Sequence, residues 1–367
     1  MGFQMEPEIL VGSVSPNGNI EAIAEQDDRC AYLYLHEIRQ PSLDLGFGTK
    51  PCWIRNLKPA PESLPSSDMR RGIAPMMPRA SCAHSQGAEP LSRDAVRIVW
   101  FEEGDAAALL ERESVLAIVP CWGGKKGFYG YARDCTAESD LAWPLTRDSV
   151  LRDRVRAAEE YWKSWDIGDP WTPVREGGWK AVTAALGEPT NYYAIDGGAW
   201  PPQAMLRCAH GDAVVLVTCG MQLRPQPTVE LYTKDPRQVR RIELGLAIER
   251  RLFERAPDPI MKWLSGQAKY PWHRLSWLGR GHTMSCDSIP AGASGREFTA
   301  VLFQSDPIGA PRIAFPAFRD DPVGLLWLVP VTGLERELAQ RNGSEELAGR
   351  LTAKGHGFVH CDRVPVV

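Results

Sequence analysis

The stretch VVLVTCGMQLRPQPTVE, Val214–Glu230, gives the clearest indication of the fold. Its first part belongs to a mostly apolar run, Asp212–Met221, whose three valines predict a buried strand. Pro225 and Pro227 mark a turn, after which Val229–Thr233 is the predicted hairpin partner. The stretch therefore predicts two antiparallel strands joined by a proline-containing loop.

Helical and extended patterns alternate after this hairpin. Pro236–Glu254 has the apolar spacing of a helix. Thr332 precedes Glu335 by three residues, which is the pattern of a capping box at the start of a helix. The other predicted elements are strands at Arg296–Gln304 and Val323–Val329 and helices at Leu334–Gln340 and Ser344–Lys354. Strand pairs separated by helices indicate an α+β fold.

A long helix divides the sequence into two parts. Asp148–Trp165 places apolar residues on one helix face, and we take this helix as the joint. A loop at 168–173 and a short helix, Trp179–Leu186, follow it. The predicted organisation is a β-rich N-terminal domain at 1–145, a connecting helix at 146–166 and a second domain at 167–367.

The N-terminal part is predicted to be β-rich. Glu21–Glu25 and Cys30–His36 are β-prone runs around a turn, which indicates a hairpin. The polar stretch Leu57–Arg93 contains six prolines and can hold little regular structure. Further strands are predicted at Val96–Glu102, Ser114–Cys121 and Gly127–Arg133.

Two segments of the second domain carry a family resemblance. Val214–Glu230 resembles the signature of the Suppressor of fused (SUFU) family, a strand ending in Thr-x-Gly-Met, then a loop, then a strand carrying a glutamate. Gly324–Leu347 is similar to the family's closing strand, cap and helices. The likeness covers roughly residues 192–355, and Gln222 departs from it where a serine is common.

The resemblance implies a fold and a function. The fold is a mixed sheet flanked by helices, to which this chain adds its β-rich N-terminal region. The function is protein binding without a catalytic site. Animal relatives resemble a clamp that holds a partner segment as an added strand. Bacterial relatives look like immunity proteins that neutralise toxins in the cell that produces them.

Composition narrows the class of protein further. Net charge is −4 over 367 residues, too small to indicate a nucleic-acid or membrane partner. Nine scattered cysteines are typical of buried thiols in a reducing compartment. The N-terminus lacks the basic start and apolar core of a secretory signal, and the apolar runs are too short to span a bilayer. We expect a cytoplasmic protein.

The acidic excess is concentrated in the first 150 residues, which hold 15 basic and 21 acidic side chains. It occurs in two short clusters, Asp27-Asp28 and Glu102-Glu103-Gly-Asp105. Such clusters are usually solvated turns. The alternative is a partner-binding face, with Trp122 as an aromatic anchor, since tryptophan is enriched in binding hot spots. The candidate partner-binding residues are therefore Asp27, Asp28, Glu102, Glu103, Asp105 and Trp122.

Catalytic and metal-binding patterns are weak. The pairs Cys82/His84 and Cys208/His210 carry zinc-ligand residue types, as do His356, His360 and Cys361, but neither set has the spacing of known closed sites. Gly123–Gly127 lacks the spacing of a phosphate-binding loop. We expect no cofactor, no metal and no catalytic residues.

The leading hypothesis is an immunity protein that binds a cognate polymorphic toxin tightly and occludes it. A regulatory scaffold for an endogenous protein partner is the alternative. An enzyme, including a zinc-dependent one, is the third alternative, because catalytic residues can converge from distant positions. The oligomeric state stays open.

Overall fold

The computed structural model describes residues 6–38, 45–64, 70–145, 150–292 and 294–367. The chain forms two compact units. The first consists of Met1–Ile167 with Trp272–Leu275, and the second of Gly168–Pro271 with Ser276–Val367. The boundaries predicted from the sequence stay a prediction.

The first unit contains a four-stranded antiparallel sheet in which sequence neighbours pair. Its strands are β1 (Glu8–Val14), β2 (Ile20–Gln26), β3 (Cys30–Glu37) and β4 (Thr49–Asn56). Ile20, Ala22 and Ala24 alternate along β2 and are buried, as expected for a sheet with one face on a core. The predicted hairpin around residues 26–28 is confirmed.

A five-stranded sheet follows in the same unit. Its strands are β5 (Val96–Trp100), β6 (Ala107–Glu111), β7 (Ser114–Val119), β8 (Tyr131–Ala132) and β9 (Trp143–Pro144). Helix α1, Val150–Ile167, packs Leu151, Val155 and Ala158 into an apolar cluster with Val99 and Ile118. A helix over the predicted span is confirmed, although residues 146–149 lie outside the described part of the chain, and its role as the joint between two domains stays a prediction. The stretch before β5 contains 3₁₀ helices at Arg79–Ser81 and Arg93–Ala95.

The second unit is built on one eight-stranded mixed sheet. The order is β10-β11-β12-β13-β16-β15-β14, and β17 also pairs with β13. The strands are β10 (Asn191–Ala194), β11 (Ala204–His210), β12 (Ala213–Cys219), β13 (Ile242–Glu249), β14 (Thr283–Ser285), β15 (Ala300–Gln304), β16 (Gly324–Val331) and β17 (Val359–His360). The β13–β16 and β13–β17 pairs are parallel.

Helices flank this sheet. They are α2 (Trp171–Leu186), α3 (Arg250–Phe253), α4 (Pro257–Gln267), α6 (Gly333–Asn342) and α7 (Ser344–Ala353). The short helix α5 (Tyr270–Arg274) is divided between the two units, since Trp272–Leu275 belong to the first. Val182 of α2 packs on β11 and β12, while Leu347 and Leu351 of α7 pack on β15 and β16. The predicted α+β class, with a helix-flanked mixed sheet and a β-rich N-terminal region, is confirmed.

Two predictions around the hairpin are wrong. Pro236–Glu254 is mainly the strand β13, which pairs with β12 where Val229–Thr233 was expected to pair. Val229–Leu231 is a 3₁₀ helix. Apolar residues recur in β13 with period two as well as at helical spacing, and a fully buried strand is not separable from a helix by periodicity alone.

A third correction concerns the predicted loop at 168–173. Helix α2 begins at Trp171, and the Asp169 carboxylate accepts hydrogen bonds from the backbone N–H groups of Trp171 and Thr172. Pro173 lies in the first turn, where its missing N–H costs no helical hydrogen bond.

The capping box of Thr332 and Glu335 at the start of α6 is confirmed. Within the described residues no helix is long and apolar enough to cross a membrane.

Candidate protein-binding surface

The Thr-Cys-Gly-Met sequence forms a sharp turn at the end of β12. Gly220 has φ +114, and a Cβ atom there would lie 2.6 Å from the carbonyl oxygen of Pro202. Only glycine fits this backbone. The 3₁₀ helix Met221–Leu223 follows directly, so the chain reverses within a few residues of the strand.

A buried carboxylate, Glu243 of β13, holds this turn. Its Oε2 accepts the Thr218 hydroxyl at 2.7 Å, and its Oε1 accepts the N–H groups of Gly220 at 2.8 Å and Gln222 at 3.1 Å. Burial raises the pKa of Glu243 to about 7, although these hydrogen bonds act to lower it. The side chain is 0% exposed, so no ligand reaches its carboxylate and its role is structural.

A second buried carboxylate, Asp321, is surrounded by arginines. The Arg237, Arg240 and Arg241 guanidiniums lie 3.0, 2.7 and 2.9 Å from its carboxylate oxygens. Burial acts to raise the pKa of Asp321, but the hydrogen bonds and charges of Arg240 and Arg241 outweigh it and the pKa lies below the usual value.

Arg241 links these two carboxylate sites. It donates to the carbonyl oxygens of Gln222 and Leu223 at 3.0 and 3.1 Å as well as to Asp321. The turn is thus held from one side by Glu243 and from the other by Arg241. This arrangement fixes β12 and β13. In the sheet order β11 pairs with β12, and the last strand, β10, pairs with β11.

An open groove lies beside that last strand, β10. It has a volume of about 380 Å³ and is lined by Arg175, Glu176, Trp179 and Lys180 of α2 and by Tyr192 of β10. Tyr192 is 42% exposed. The Trp179 indole N–H donates to Glu188 at 3.2 Å, which fixes the ring. The groove therefore offers aromatic surface next to two cationic side chains.

The outer edge of β10 carries hydrogen-bonding groups that do not face β11. The Ile195 N–H donates to the Gln203 carbonyl oxygen, and Tyr193 lies opposite Met205. Hydrogen-bonded and non-hydrogen-bonded residue pairs alternate along two antiparallel strands, so Tyr193 and Ile195 bond on the β11 side and the residues between and before them do not. The N–H and C=O groups of Tyr192 and Ala194 therefore point away from β11. β10 is the terminal strand of the described sheet order. It is thus a template for an added strand.

The first predicted acidic cluster lies in the β2–β3 turn. The Asp27 carboxylate is nearly buried and pairs with Arg29 at 2.7 Å, and it also accepts the backbone N–H of Cys30. Asp28 is exposed and pairs with Lys58 at 3.3 Å. Asp27 therefore stabilises its own turn, which leaves Asp28 as the more accessible of the two.

The second predicted cluster lies in the β5–β6 connection. Glu103 is 7% and Asp105 3% exposed, and Arg154 pairs with Glu103 at 3.1 Å. Trp122 packs on the apolar cluster that contains Phe101 and Ala106, so the structure brings it close to Glu102–Asp105.

The structure does not bring the two acidic clusters together. Asn17, at the β1–β2 turn, donates to the Glu103 carbonyl oxygen, whereas Asp27 and Asp28 follow the other end of β2. The length of that strand, on the order of 20 Å, separates the clusters. The assignment of all six residues to partner binding stays a prediction.

No group of three or more residues with metal-binding side chains converges within the described parts of the chain. Cys208 is buried while His210 is exposed on β11. His84 lies 3.8 Å from Asp134. The thiol of Cys219 donates to the Val174 carbonyl oxygen, and burial holds its pKa well above the usual value, as expected of an unreactive thiol.

Sequence patterns did not indicate the groove, Glu243 or Asp321. The Thr-x-Gly-Met signature pointed to the turn. The carboxylate that holds the turn belongs to Glu243 of β13, which lies 25 residues after Thr218 and 23 after Gly220. The exposed strand β10 follows α2 closely and gives no apolar alternation. Its two tyrosines were the one feature that favoured a strand, since aromatic residues are enriched in strands.

Comparison with known proteins supports the resemblance seen in the sequence. Residues 200–362, less than half of the chain, match the model of the Suppressor of fused protein (SUFU) family. The crystal structure of a SUFU homolog from Neisseria gonorrhoeae is similar to part of the chain, with 14% identity and a TM-score of 0.38. That similarity covers 53% of this chain and 97% of the homolog. No curated protein sequence gives a match.

The matched segment lies within the second unit, apart from Trp272–Leu275. SUFU domains mediate protein–protein interaction, and proteins that contain them are in general binding or regulatory proteins. A protein-interaction role is thus the class of function that the matched segment indicates.

Proposed function

We propose that this chain is an immunity protein that neutralises a cognate polymorphic toxin in the bacterial cytosol by tight binding and occlusion. The observation that carries the proposal is the match of residues 200–362 to the SUFU family. The described residues hold their buried carboxylates in structural networks, which favours binding over catalysis.

The binding mode follows from the terminal strand and its groove. An extended segment of the toxin adds to β10 and pairs with the outward N–H and C=O groups of Tyr192 and Ala194. One of its apolar side chains enters the groove against Trp179 and Tyr192. An acidic residue beside it pairs with Arg175 or Lys180, so main-chain bonds supply affinity and the groove supplies specificity.

The first unit is the expected source of discrimination between toxins. Apart from Trp272–Leu275, it lies outside the segment that matches the SUFU family, so its surface is free to differ from that of other proteins of this type. Asp28, Glu102 and Trp122 are the more exposed of the six predicted contacts. Charge at these positions would raise the association rate more than it slows dissociation.

Identification of the partner tests the function. The tagged chain is used as bait in its native host, and captured proteins are identified by mass spectrometry. We expect one large protein whose C-terminal domain stops growth when expressed alone and is harmless when co-expressed with this chain. A captured housekeeping regulator with no toxic domain would contradict the immunity function and favour the scaffold.

Substitution at one position tests the binding mode. Ala194→Pro removes an outward N–H without removing a bond to β11, and proline is tolerated on such an edge. Ala194→Ser keeps the N–H and is the matched control. We expect Ala194→Pro to weaken toxin binding at least about tenfold, measured by calorimetry, while Ala194→Ser binds like the unmodified chain. Equal affinity for both variants would rule out strand addition at β10.

A further inference from the structure

Two cysteines of the first unit face each other across a short antiparallel bridge. Cys82 pairs with Cys135. The Ala83 N–H donates to the Asp134 carbonyl oxygen at 2.9 Å, and the Thr136 N–H donates to the Ser81 carbonyl oxygen at 3.0 Å. Because these bonds flank the cysteines, the two residues form a non-hydrogen-bonded pair, in which Cα atoms are about 4.5 Å apart and side chains share one face.

This spacing suits a covalent link. Disulfides are found with Cα atoms about 4.4–6.8 Å apart, and the Cβ atoms of a non-hydrogen-bonded pair are close enough for the same bond. Both thiols are free and almost buried in one apolar core. Each donates only to a nearby carbonyl oxygen, Cys82 to His84 at 3.4 Å and Cys135 to Ala137 at 3.0 Å or Ala142 at 3.3 Å.

We propose that Cys82 and Cys135 form a reversible disulfide when the chain meets a low-molecular-weight disulfide such as oxidised glutathione. The Cys82 thiolate attacks one glutathione sulfur, forms a mixed disulfide and releases one glutathione thiolate. The Cys135 thiolate then attacks Cys82 Sγ and releases the second. The two cysteines lose two electrons and two protons in total, and one oxidised glutathione becomes two reduced molecules.

Cys82 is the attacking residue because Ala83 and His84 beside it are exposed. Burial raises the pKa of Cys82, and it raises the pKa of Cys135 to about 11. Only a small thiolate fraction exists near neutral pH, so the oxidation rate rises as the pH increases from 7 to 9. The product ties the proline-rich stretch Leu57–Arg93 to the segment after β8.

Mass spectrometry of the full chain tests this pairing. The folded protein is incubated with excess oxidised glutathione at pH 8.5, remaining thiols are alkylated, and the digest is analysed without reduction. We expect a peptide pair linked through Cys82 and Cys135 and a fall from nine titratable thiols to seven. Dithiothreitol should restore all nine.

Two variants sharpen the result. Cys135→Ala should leave Cys82 as a glutathione adduct, whereas Cys52→Ala, which removes a neighbouring buried thiol, should keep the link. If Cys135→Ala does not fold, the linkage map of the unmodified chain decides alone. A link between Cys52 and Cys135, a stable glutathione adduct on the unmodified chain, or nine thiols after prolonged incubation would each overturn the proposal.

Discussion

Glu243 and Asp321 are both fully buried carboxylates of the second unit, yet their surroundings differ in charge. Glu243 is held by a hydroxyl and backbone N–H groups, all neutral donors. Asp321 is held by three guanidiniums. The pKa of Glu243 is raised to about 7, whereas that of Asp321 is lowered. At Glu243, hydrogen bonds from neutral donors do not offset the effect of burial on the pKa. At Asp321, the charges and hydrogen bonds of the arginines do.

The two sites therefore stabilise the fold at different pH. Asp321 contributes stability above its ordinary pKa and loses it as the pH falls through its lowered value. Glu243 behaves in the opposite way. Its contribution is fully present below the ordinary glutamate pKa and disappears as the pH rises through about 7.

The largest expected effect is the loss of the Asp321 charge. Asp321→Asn removes the anion that lies 2.9 Å from the Arg241 guanidinium, which is 1% exposed. Breaking a buried ion pair in this way costs about 3–5 kcal/mol, measured by urea unfolding of the full chain. Asp320→Asn, at an exposed neighbour, is the control and should change stability by less than about 0.5 kcal/mol. Similar effects of the two variants would contradict the role of Asp321.

The next effect concerns the pH dependence. Between pH 4.5 and 7 the folded chain retains the Glu243 proton and the unfolded chain loses it, so stability should fall by about 3 kcal/mol over this range. Glu243→Gln should abolish that part of the slope. Unfolding measured at several pH values in both proteins checks it. An unchanged slope in the variant would assign the dependence to other groups.

A smaller effect is expected from the donor to Glu243. Thr218→Val has nearly the same shape but removes the hydroxyl that donates to Glu243 and accepts from the Leu244 N–H. Leaving these groups unsatisfied should cost about 2 kcal/mol in the free energy of unfolding. Thr218→Ser keeps the hydroxyl and should cost less. Equal losses in both variants would point to the methyl group instead.

The smallest effect is expected at the surface. Asp28 and Lys58 form an ion pair in which both side chains are about half exposed. Asp28→Asn should change stability by less than about 1 kcal/mol, because water and salt screen exposed charges. If toxin binding weakens in this variant while its urea midpoint is unchanged, Asp28 is a partner contact as predicted.

Features encoded within a few residues were predictable from the sequence. The capping box of α6 needs only Thr332 and Glu335, and the strand β12 needs only its run of apolar residues. The α+β class followed from such local features. The hairpin between β2 and β3 was equally local, since its turn residues lie between two β-prone runs.

Features that depend on distant residues were not predictable. β13 lies at the centre of the sheet, and its apolar residues fit both period two and helical spacing, so the pattern alone does not separate this buried strand from a helix. The burial of Asp27, Glu103 and Asp105 likewise depends on the tertiary packing around their turns. Charge runs indicate exposure only on average, and here Asp27 stabilises its own turn while Glu103 pairs with Arg154 of α1.

The parallel pairing of β13 has a consequence for biosynthesis. β12 can pair with β13 soon after both leave the ribosome, but β16 follows some eighty residues later and β17 later still. Until then one edge of a strand that is almost entirely buried in the folded chain is uncovered. Nascent chains of this length are therefore the ones most exposed to aggregation and to capture by chaperones.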